Sequence, residues 1–307
     1  MTEKAVLKKQ KYGFIRRSKG ERIFNVCNIA FLAILLLCFL YPLLNMFAIS
    51  ISNDISVLRA DVTFYPKGIN LVAYDMIFSN PTLWRAMANS AFVVLVGCVL
   101  SVVALCIAAY PLVFGEFYGK QLYTLLLLFT MWFSGGTIPT FLTIRWLGLI
   151  NSLWSLVLNG LITAYYVIIV RSYFESIPLS VVESAQIDGA NDFTILFRLI
   201  MPLSKPVIAT VALWIIVEHW NDYLNPLIFI SKRENYTLQL VLKDIVLSSE
   251  SSMYGLSAAM TTDNGVAAIG QQVRNAVLVV SMVPMLVLYP FLQRYFVSGI
   301  MLGAVKG

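Results

Sequence analysis

Charged side chains are scarce in this chain: Asp, Glu, Lys and Arg make up 12% of its 307 residues, against about 25% in a typical soluble domain. Hydrophobic residues make up 59%, and the mean hydropathy is +0.79. Together with several long uncharged stretches, this composition excludes an ordinary soluble enzyme, a disordered chain and a nucleic-acid-binding module. It predicts an all-α, polytopic membrane protein that contacts lipid.

Catalytic signatures are also missing. The chain has one histidine and neither an H-E-x-x-H nor a G-x-S-x-G motif, so a metal centre or hydrolase site has little support. The phosphate-binding pattern G-x-x-x-x-G-K-[ST] is absent too, because the segment from Gly115 to Lys120 is one residue short and is followed by Gln121. We therefore expect no enzymatic activity, no metal and no cofactor in this chain.

Gaps between successive charges predict six transmembrane helices, since a spanning helix needs about 20 apolar residues. They lie within residues 23–49, 85–116, 120–145, 145–171, 206–230 and 274–294. The pair Gly135 and Gly136, followed by Pro139, predicts a break near the outer end of the third helix.

Basic residues predict the orientation in the membrane. Eight of them precede position 23, which indicates a cytoplasmic basic arm over residues 1–22 ahead of a membrane domain over 23–307. With this orientation both termini are cytoplasmic, and the cytoplasmic segments hold fourteen Lys and Arg against eight outside. The two longest outer connections, 50–85 and 231–274, can form docking ledges for an external partner.

The cytoplasmic stretch 171–205 carries signals for a bent pair of short helices. Ser180 and Glu183 have the spacing of a capping box, which predicts a helix that starts at Val181. Gly189 can adopt the left-handed conformation that ends such a helix. Small residues would then occupy the elbow: Ala185, Gly189 and Ala190.

A second helix is expected after the elbow. Asn191 or Asp192 can cap it, and Pro202 should end it. Small residues at the elbow would allow the groove of another protein to close on the backbone. An amphipathic hairpin lying on the membrane is the alternative that these residues leave open.

The same stretch resembles the EAA loop of binding-protein-dependent ABC importer permeases. Its residues at the motif positions are Glu183, Ser184, Ala185, then Asp188, Gly189, Ala190, then Leu199, Met201 and Pro202. Ser184 replaces Ala, Leu199 the usual Ile and Met201 the usual Leu, all close in size. The resemblance implies that a loop over 175–205 docks in a cleft of a cytoplasmic ATPase and transmits its closure.

Further strings resemble the carbohydrate-uptake branch of that family, the maltose-type permeases and the subgroup that imports complex oligosaccharides. These strings are NSAFVV, AAYPL, FSGGTIPTFLTIRWLGLINSLW, WNDYLNPL and YPFLQRYFVSGIMLGAVKG. The resemblance implies a type I ABC importer permease fold, in which a tail over 303–307, with Lys306 and Gly307, reaches into the ATPase interface. From the residues alone, without the resemblance, the alternative for that tail is a frayed terminus.

The predicted fifth helix carries charges at membrane depth. Glu218 and Asp222 are four residues apart and share a helical face with Trp214, Asn221 and Asn225. Such groups usually face a bundle interior or a wet cavity. Carboxylates, amides and an aromatic face suit a sugar, so these residues are candidates for a substrate path. The alternative is that they hold the fifth helix to its neighbours and cap its broken end at Pro226.

Polar side chains on the predicted fourth helix are further candidates: Asn151, Asn159, Thr163, Tyr165 and Tyr166. We place Asn159 and Tyr166 on the substrate path, although hydrogen bonds between helices would explain such a stripe equally well. His219 lies among apolar neighbours and is interpreted as structural.

The resemblance implies one transmembrane subunit of an ATP-driven importer for an oligosaccharide or related glycan, in a bacterial inner membrane. Expected partners are a second, homologous permease, two ATP-binding cassette subunits that bind ATP and Mg²⁺, and an extracellular solute-binding protein. Three alternatives remain: a permease for a polyol, glycerol phosphate or peptide; a proton-coupled secondary transporter using Glu218, His219 and Asp222; and a membrane-embedded enzyme.

Overall fold

The computed structural model describes residues 19–247, 270–287 and 289–290. The basic arm up to residue 18 and the C-terminal tail with Lys306 and Gly307 lie outside the described residues. Within the described ranges the chain forms helices and loops, with no strand. In chain order the helices are α1 (Lys19–Ser50), α2 (Asp54–Leu58), α3 (Val72–Phe78), α4 (Pro81–Phe114), α5 (Lys120–Trp132), α6 (Thr137–Trp146), α7 (Trp154–Leu158), α8 (Ala164–Phe174), α9 (Leu179–Ile187), α10 (Asp192–Ile195), α11 (Met201–Leu203), α12 (Lys205–Asn221), α13 (Leu224–Phe229), α14 (Leu238–Leu247) and α15 (270–287).

Among the described residues, two helices are long and apolar enough to cross a membrane. α1 has 32 residues and α4 has 34, so each is about 50 Å long. Two bent pairs qualify only when each pair is taken as one span: α5 with α6, bent by 115°, and Asp192–Leu203 with α12, bent by 85°. By length and composition, the described residues thus hold two to four candidate spans, against six expected from the charges.

The segment predicted as a fourth helix is not continuous. α7 ends at Leu158, Asn159 is extended, and Gly160 has a φ of +81° before α8 begins at Ala164. Because glycine adopts positive φ without steric cost, it interrupts a helix that hydrophobicity alone would continue. The expectation of one helix over 145–171 was therefore wrong.

The break predicted in the third helix is confirmed. α5 ends at Trp132 and α6 begins at Thr137, and between them Gly136 has a φ of +85°. Pro139 then lies in the first turn of α6, where its missing N–H costs no helical hydrogen bond.

Helix α4 is the central element of the fold. It starts cleanly because Asn80 accepts a hydrogen bond from the backbone N–H of Thr82 (2.9 Å) and Pro81 takes the first helical position. Its C-terminal half packs on α8 and α12 through a buried cluster that includes Leu105, Ala109 and Val167. Its N-terminal half packs on α3, α14 and α15 through a second cluster.

Helices α1 and α5 leave apolar surface uncovered. In α1 the buried residues are Ala48 and Ser50, and in α5 no residue is buried. Apolar side chains at these positions can face lipid or another membrane chain.

Candidate functional site

The elbow of the 175–205 loop is a Schellman turn. Gly189 has a φ of +80°, and its N–H donates to the carbonyl of Gln186 at 3.0 Å. The N–H of Ala190 donates to the carbonyl of Ala185 at 3.0 Å. Both bonds satisfy carbonyls that the end of α9 would otherwise leave unpaired. The prediction that Gly189 ends this helix in a left-handed conformation is confirmed.

The start of α9 differs from the capping box expected from the sequence. The helix begins at Leu179, two residues before Val181, and no side chain caps it. Pro178 precedes it with a φ of −58°, a value that already suits helix entry. Ser180 therefore lies inside the first turn, where its carbonyl accepts the Ser184 hydroxyl at 2.7 Å.

The arm after the elbow is capped and anchored. The side chain of Asn191 accepts the N–H of Thr194 at 2.8 Å, which confirms the predicted cap. The Tyr110 hydroxyl of α4 donates to the Asp192 carboxylate at 3.1 Å. This bond ties the arm to the central helix of the fold.

Pro202 does not end the second arm. The helical path widens into a π-turn over Leu196–Ile200 and continues through α11 to Leu203, one residue beyond the proline. A π-turn accommodates a residue that cannot donate to the carbonyl four positions earlier. The chain turns instead at Ser204, whose side-chain oxygen is buried without a hydrogen-bond partner among the described residues.

The tip of the loop faces outward. Val182 is buried in the core cluster and anchors α9, while the other side of the helix carries exposed motif residues. These are Glu183, Ser184, Asp188 and Gly189. Ala185 and Ala190 are half-buried at the elbow, Pro202 is exposed, and the Ile187 side chain is 85% exposed. The tip is therefore available for a partner.

A second feature is a cavity of about 260 Å³ beside the break between α12 and α13. Six of the seven candidate path residues line it: Asn159, Tyr166, Glu218, Asn221, Asp222 and Asn225. Asn159 and Tyr166 come from the end of α7 and from α8, and the other four come from the end of α12 and the start of α13. At least 52 positions separate the two groups in the sequence.

Asp222 and Asn225 organise the helix break. The Asp222 carboxylate accepts the backbone N–H of Asn225 at 3.1 Å and its side-chain amide at 2.8 Å. The Asn159 amide donates to the Asn225 oxygen at 3.2 Å. The break therefore lies at Asp222, ahead of Pro226, and Asn225 belongs to α13 rather than to one continuous face of the fifth helix. This arrangement agrees with the alternative in which Asp222 and Asn225 cap the broken end of the helix and hold it to its neighbours.

Glu218 opens into the cavity. Its carboxylate accepts the Tyr166 hydroxyl at 3.0 Å, and its side chain is exposed in the isolated chain. Trp214, one turn earlier, stacks on the Tyr166 ring with centroids 6.0 Å apart and planes inclined by 25°. Trp214 does not line the cavity but supports the aromatic ring that does.

Asn151 is a structural clamp and does not line the cavity. It adopts a φ of +64°, a conformation that asparagine tolerates better than most residues. Its side-chain oxygen accepts from the N–H of Ser231 (2.6 Å), the Ser231 hydroxyl (2.8 Å) and the N–H of Lys232 (3.0 Å). These bonds fix the loop after α13 to the loop after α6.

Sequence reasoning missed two small residues of α4. A Cβ atom at Gly97 would lie 3.0 Å from Nε2 of His219, so α4 and α12 approach closely because Gly97 lacks a side chain. Ser101, one turn later, lines the cavity. The spacing Gly-x-x-x-Ser is the small-residue signal for close helix packing in membranes and could have identified this face.

Metal ligands are not gathered in the part of the chain that the structure describes. No group of three or more His, Cys, Asp or Glu residues there could hold a metal ion.

Comparison with known proteins identifies the class of this protein. The family model of the binding-protein-dependent transport system inner membrane component matches residues 13–301. The chain belongs to that family, and it is therefore a membrane component of a bacterial transporter rather than a catalytic subunit. This membership does not favour the stand-alone, proton-coupled transporter.

Individual relatives cover nearly the whole chain. Protein LplC of Bacillus subtilis is 37% identical over 95% of this chain and 98% of its own length. The polygalacturonan/rhamnogalacturonan transport system permease protein YtcP of the same organism is 36% identical over 94% and 99%. A chain of a bacterial ABC transporter involved in the import of the acidic polysaccharide alginate matches with a TM-score of 0.83 and 32% identity, over 91% of this chain and 99% of that one. The fold is thus that of a type I ABC permease.

Proposed function

We propose that this chain forms half of the translocation pathway of an ATP-driven importer for an oligosaccharide or related glycan. The observation that carries the proposal is the cavity beside the α12–α13 break, where amides, carboxylates and a tyrosine converge. Sugar hydroxyls both donate and accept hydrogen bonds, and the lining offers Asn159 and Asn221 as donors and acceptors and Glu218 as an acceptor. The names of relatives support a glycan, including arabinooligosaccharide and galactooligosaccharide permeases.

The volume of the cavity fits a shared pathway. About 260 Å³ lies slightly below the range of complete ligand sites, about 300–1,000 Å³. A second, homologous permease would supply the facing wall. The uncovered apolar surfaces of α1 and α5 are available for that partner.

The membrane topology belongs to the same proposal. The chain crosses the membrane six times with both termini in the cytoplasm, has a basic arm over 1–22 and a permease domain over 23–307, and presents outer loops to a solute-binding protein. The 175–205 loop, with the exposed Glu183, Asp188 and Gly189, docks on one of two ATP-binding cassette subunits. Lys306 and Gly307 extend to the same subunits. Because this sequence lacks the phosphate-binding motif, ATP and Mg²⁺ are bound by those partners.

The path of the chain supports alternating access as the mechanism of this importer. The loop continues through the π-turn and the 85° bend at Ser204 into α12, which carries Glu218. A displacement of the elbow on ATP-driven closure thus reaches the cavity along one connected helical segment. Closure opens the cavity outward to accept ligand from the binding protein, and hydrolysis returns it inward.

Asn221 offers a direct test of the glycan path. It lines the cavity, and its side-chain amide bonds only to the carbonyl of Val217 in its own helix among the described residues (2.9 Å). Asn221→Leu should therefore preserve assembly but reduce oligosaccharide uptake by proteoliposomes at least fivefold. Asn275→Leu is the matched control, because Asn275 makes the same type of bond, to Gln271 (2.8 Å), on α15 away from the cavity. Equal uptake by the two variants would contradict the proposal.

A further inference from the structure

The charged side chains in the described cavity wall are acidic. Glu218 and Asp222 both line the cavity, and none of the described residues that line it is Lys or Arg. His219 is the one lining side chain able to carry positive charge, and it is half-buried against Gly97. Among the described residues no Lys, Arg or His forms an ion pair with Glu218.

The two carboxylates are not equivalent. Both oxygens of Asp222 accept hydrogen bonds from Asn225, so this group is committed to the helix break. One oxygen of Glu218, Oε2, accepts the Tyr166 hydroxyl, and the other, Oε1, accepts no hydrogen bond from a described residue. Glu218 is also the more exposed of the two. It therefore presents an open acceptor to whatever occupies the cavity.

From this arrangement we infer that the pathway of this chain selects neutral segments of a glycan and disfavours uronic acid units. A neutral sugar presents hydroxyl donors to Glu218 Oε1 and carries no charge to oppose it. The carboxylate of a uronic acid in the same place would face Glu218 and Asp222, and among the described residues of this chain no Lys or Arg lines the cavity to offset them. Like charges repel strongly where water and salt screen poorly. The inference deepens the proposed function and rests on it.

A preference for neutral glycans would distinguish this chain from two relatives that it resembles over most of its length. Two similar proteins are described by acidic cargo, polygalacturonan/rhamnogalacturonan for one and alginate for the other. Overall identity of 32–36% with them does not fix the charge of a cavity wall, because specificity is a difference between affinities that one repulsive group can reverse.

The test uses one glycan in two charge states. The importer, purified with its partner subunits through a tag on this chain and without the binding protein, is titrated with tetragalacturonic acid and with its fully methyl-esterified form. Neutral oligomers of arabinose and galactose are titrated in parallel. The ester should bind about tenfold more tightly than the acid.

Three variants test whether the Glu218 charge causes the preference for the ester. Glu218→Gln keeps an oxygen to accept the Tyr166 hydroxyl and should lower the ester-to-acid preference severalfold. Tyr166→Phe removes the hydrogen bond but not the charge and should retain the preference. Glu116→Gln removes an exposed carboxylate outside the cavity and should leave it unchanged.

Two results separate this inference from the proposed function. Equal or tighter binding of the acid by the wild-type importer, or an unchanged preference in Glu218→Gln, would overturn the inference and leave a glycan pathway standing. Binding of none of the oligosaccharides would overturn the glycan pathway and the inference with it.

Discussion

The Tyr110 hydroxyl in α4 donates a 3.1 Å hydrogen bond to the Asp192 carboxylate, three residues beyond the Gly189 elbow. Tyr110 is 7% exposed, and its ring packs on Phe114. The same helix α4 carries Ser101, which lines the cavity, and Gly97, which lies against the cavity residue His219. One hydrogen bond thus connects the exposed loop with the helix that forms part of the cavity wall.

Loss of this hydroxyl should weaken coupling. Tyr110→Phe keeps the ring but removes this hydrogen bond, at a cost of about 1 kcal/mol, because Asp192 is exposed and water can replace the lost donor. We expect assembly to persist and substrate-stimulated ATP hydrolysis by the complex to fall severalfold. Tyr123→Phe is the control, because the Tyr123 ring contacts Phe117 and its hydroxyl forms no hydrogen bond with a described residue. Identical stimulation in the two variants would argue against Tyr110 as a positioning residue.

Substitutions at the elbow residue Gly189 distinguish the effect of backbone strain from the effect of lost partner contact. A Cβ atom at Gly189 meets no atom of the described residues within 4 Å, so within that part of the chain a substitution is opposed by the φ of +80° alone. Gly189→Ala should therefore lower stability by about 1–2 kcal/mol, whereas Gly189→Asn, which tolerates this φ, should cost less.

Binding of the ATPase is the second property to be measured in the Gly189 variants. Because both side chains would fill space that we assign to the docked ATPase, both variants should reduce co-purification of that subunit, including the more stable Asn variant. Full retention of the ATPase by Gly189→Asn would show that the space at the elbow is not used by a partner.

Asn151 should govern stability rather than transport specificity. Asn151→Ala removes the acceptor of three hydrogen bonds and places alanine at a φ of +64°. We expect a loss of about 2–4 kcal/mol, seen as a lower thermal unfolding midpoint of the detergent-solubilised complex. Asn151→Asp retains the acceptor and the tolerance of positive φ, so its midpoint should stay closer to wild type. A lower unfolding midpoint for Asn151→Asp than for Asn151→Ala would contradict the structural role of these three hydrogen bonds.

The close approach at Gly97 predicts coupling between two positions. Gly97→Ala brings a methyl group to 3.0 Å from Nε2 of His219 and should destabilise the complex by about 1 kcal/mol. Adding His219→Ala removes the group that the methyl meets, so the double variant should lose less stability than the sum of the single variants. Strict additivity in thermal unfolding would show that the two side chains do not meet.

The sequence was most informative where a local backbone rule decides the structure. Gly189 ends α9, Asn191 caps the next arm and Gly136 breaks the third predicted helix, because φ preferences and side-chain caps act within a few residues. Six of the seven candidate path residues line one cavity, as expected for polar groups in apolar runs; their role in a substrate path stays a prediction.

Longer-range features were not predictable from the same patterns. The break at Asn159 and Gly160 was missed because the run between Arg145 and Arg171 is uncharged throughout, and neither charge spacing nor hydropathy reports φ. The start of α9 was misplaced because Pro178 supplies the helical entry that the capping box was expected to supply. The Tyr110–Asp192 bond joins positions 82 apart in sequence, and periodicity carries no signal for such a contact.

The central claim is that ATP hydrolysis by partner subunits moves a glycan through this chain by way of the 175–205 loop. The most direct measurement is uptake of a neutral oligosaccharide into proteoliposomes that contain the assembled importer, with wild type compared with a deletion of residues 188–190. The account predicts ATP-dependent uptake by wild type, insensitive to a pH gradient. The assembled deletion variant should lose both uptake and substrate-stimulated ATP hydrolysis. Undiminished uptake by the deletion variant, or uptake driven by a pH gradient without ATP, would contradict it.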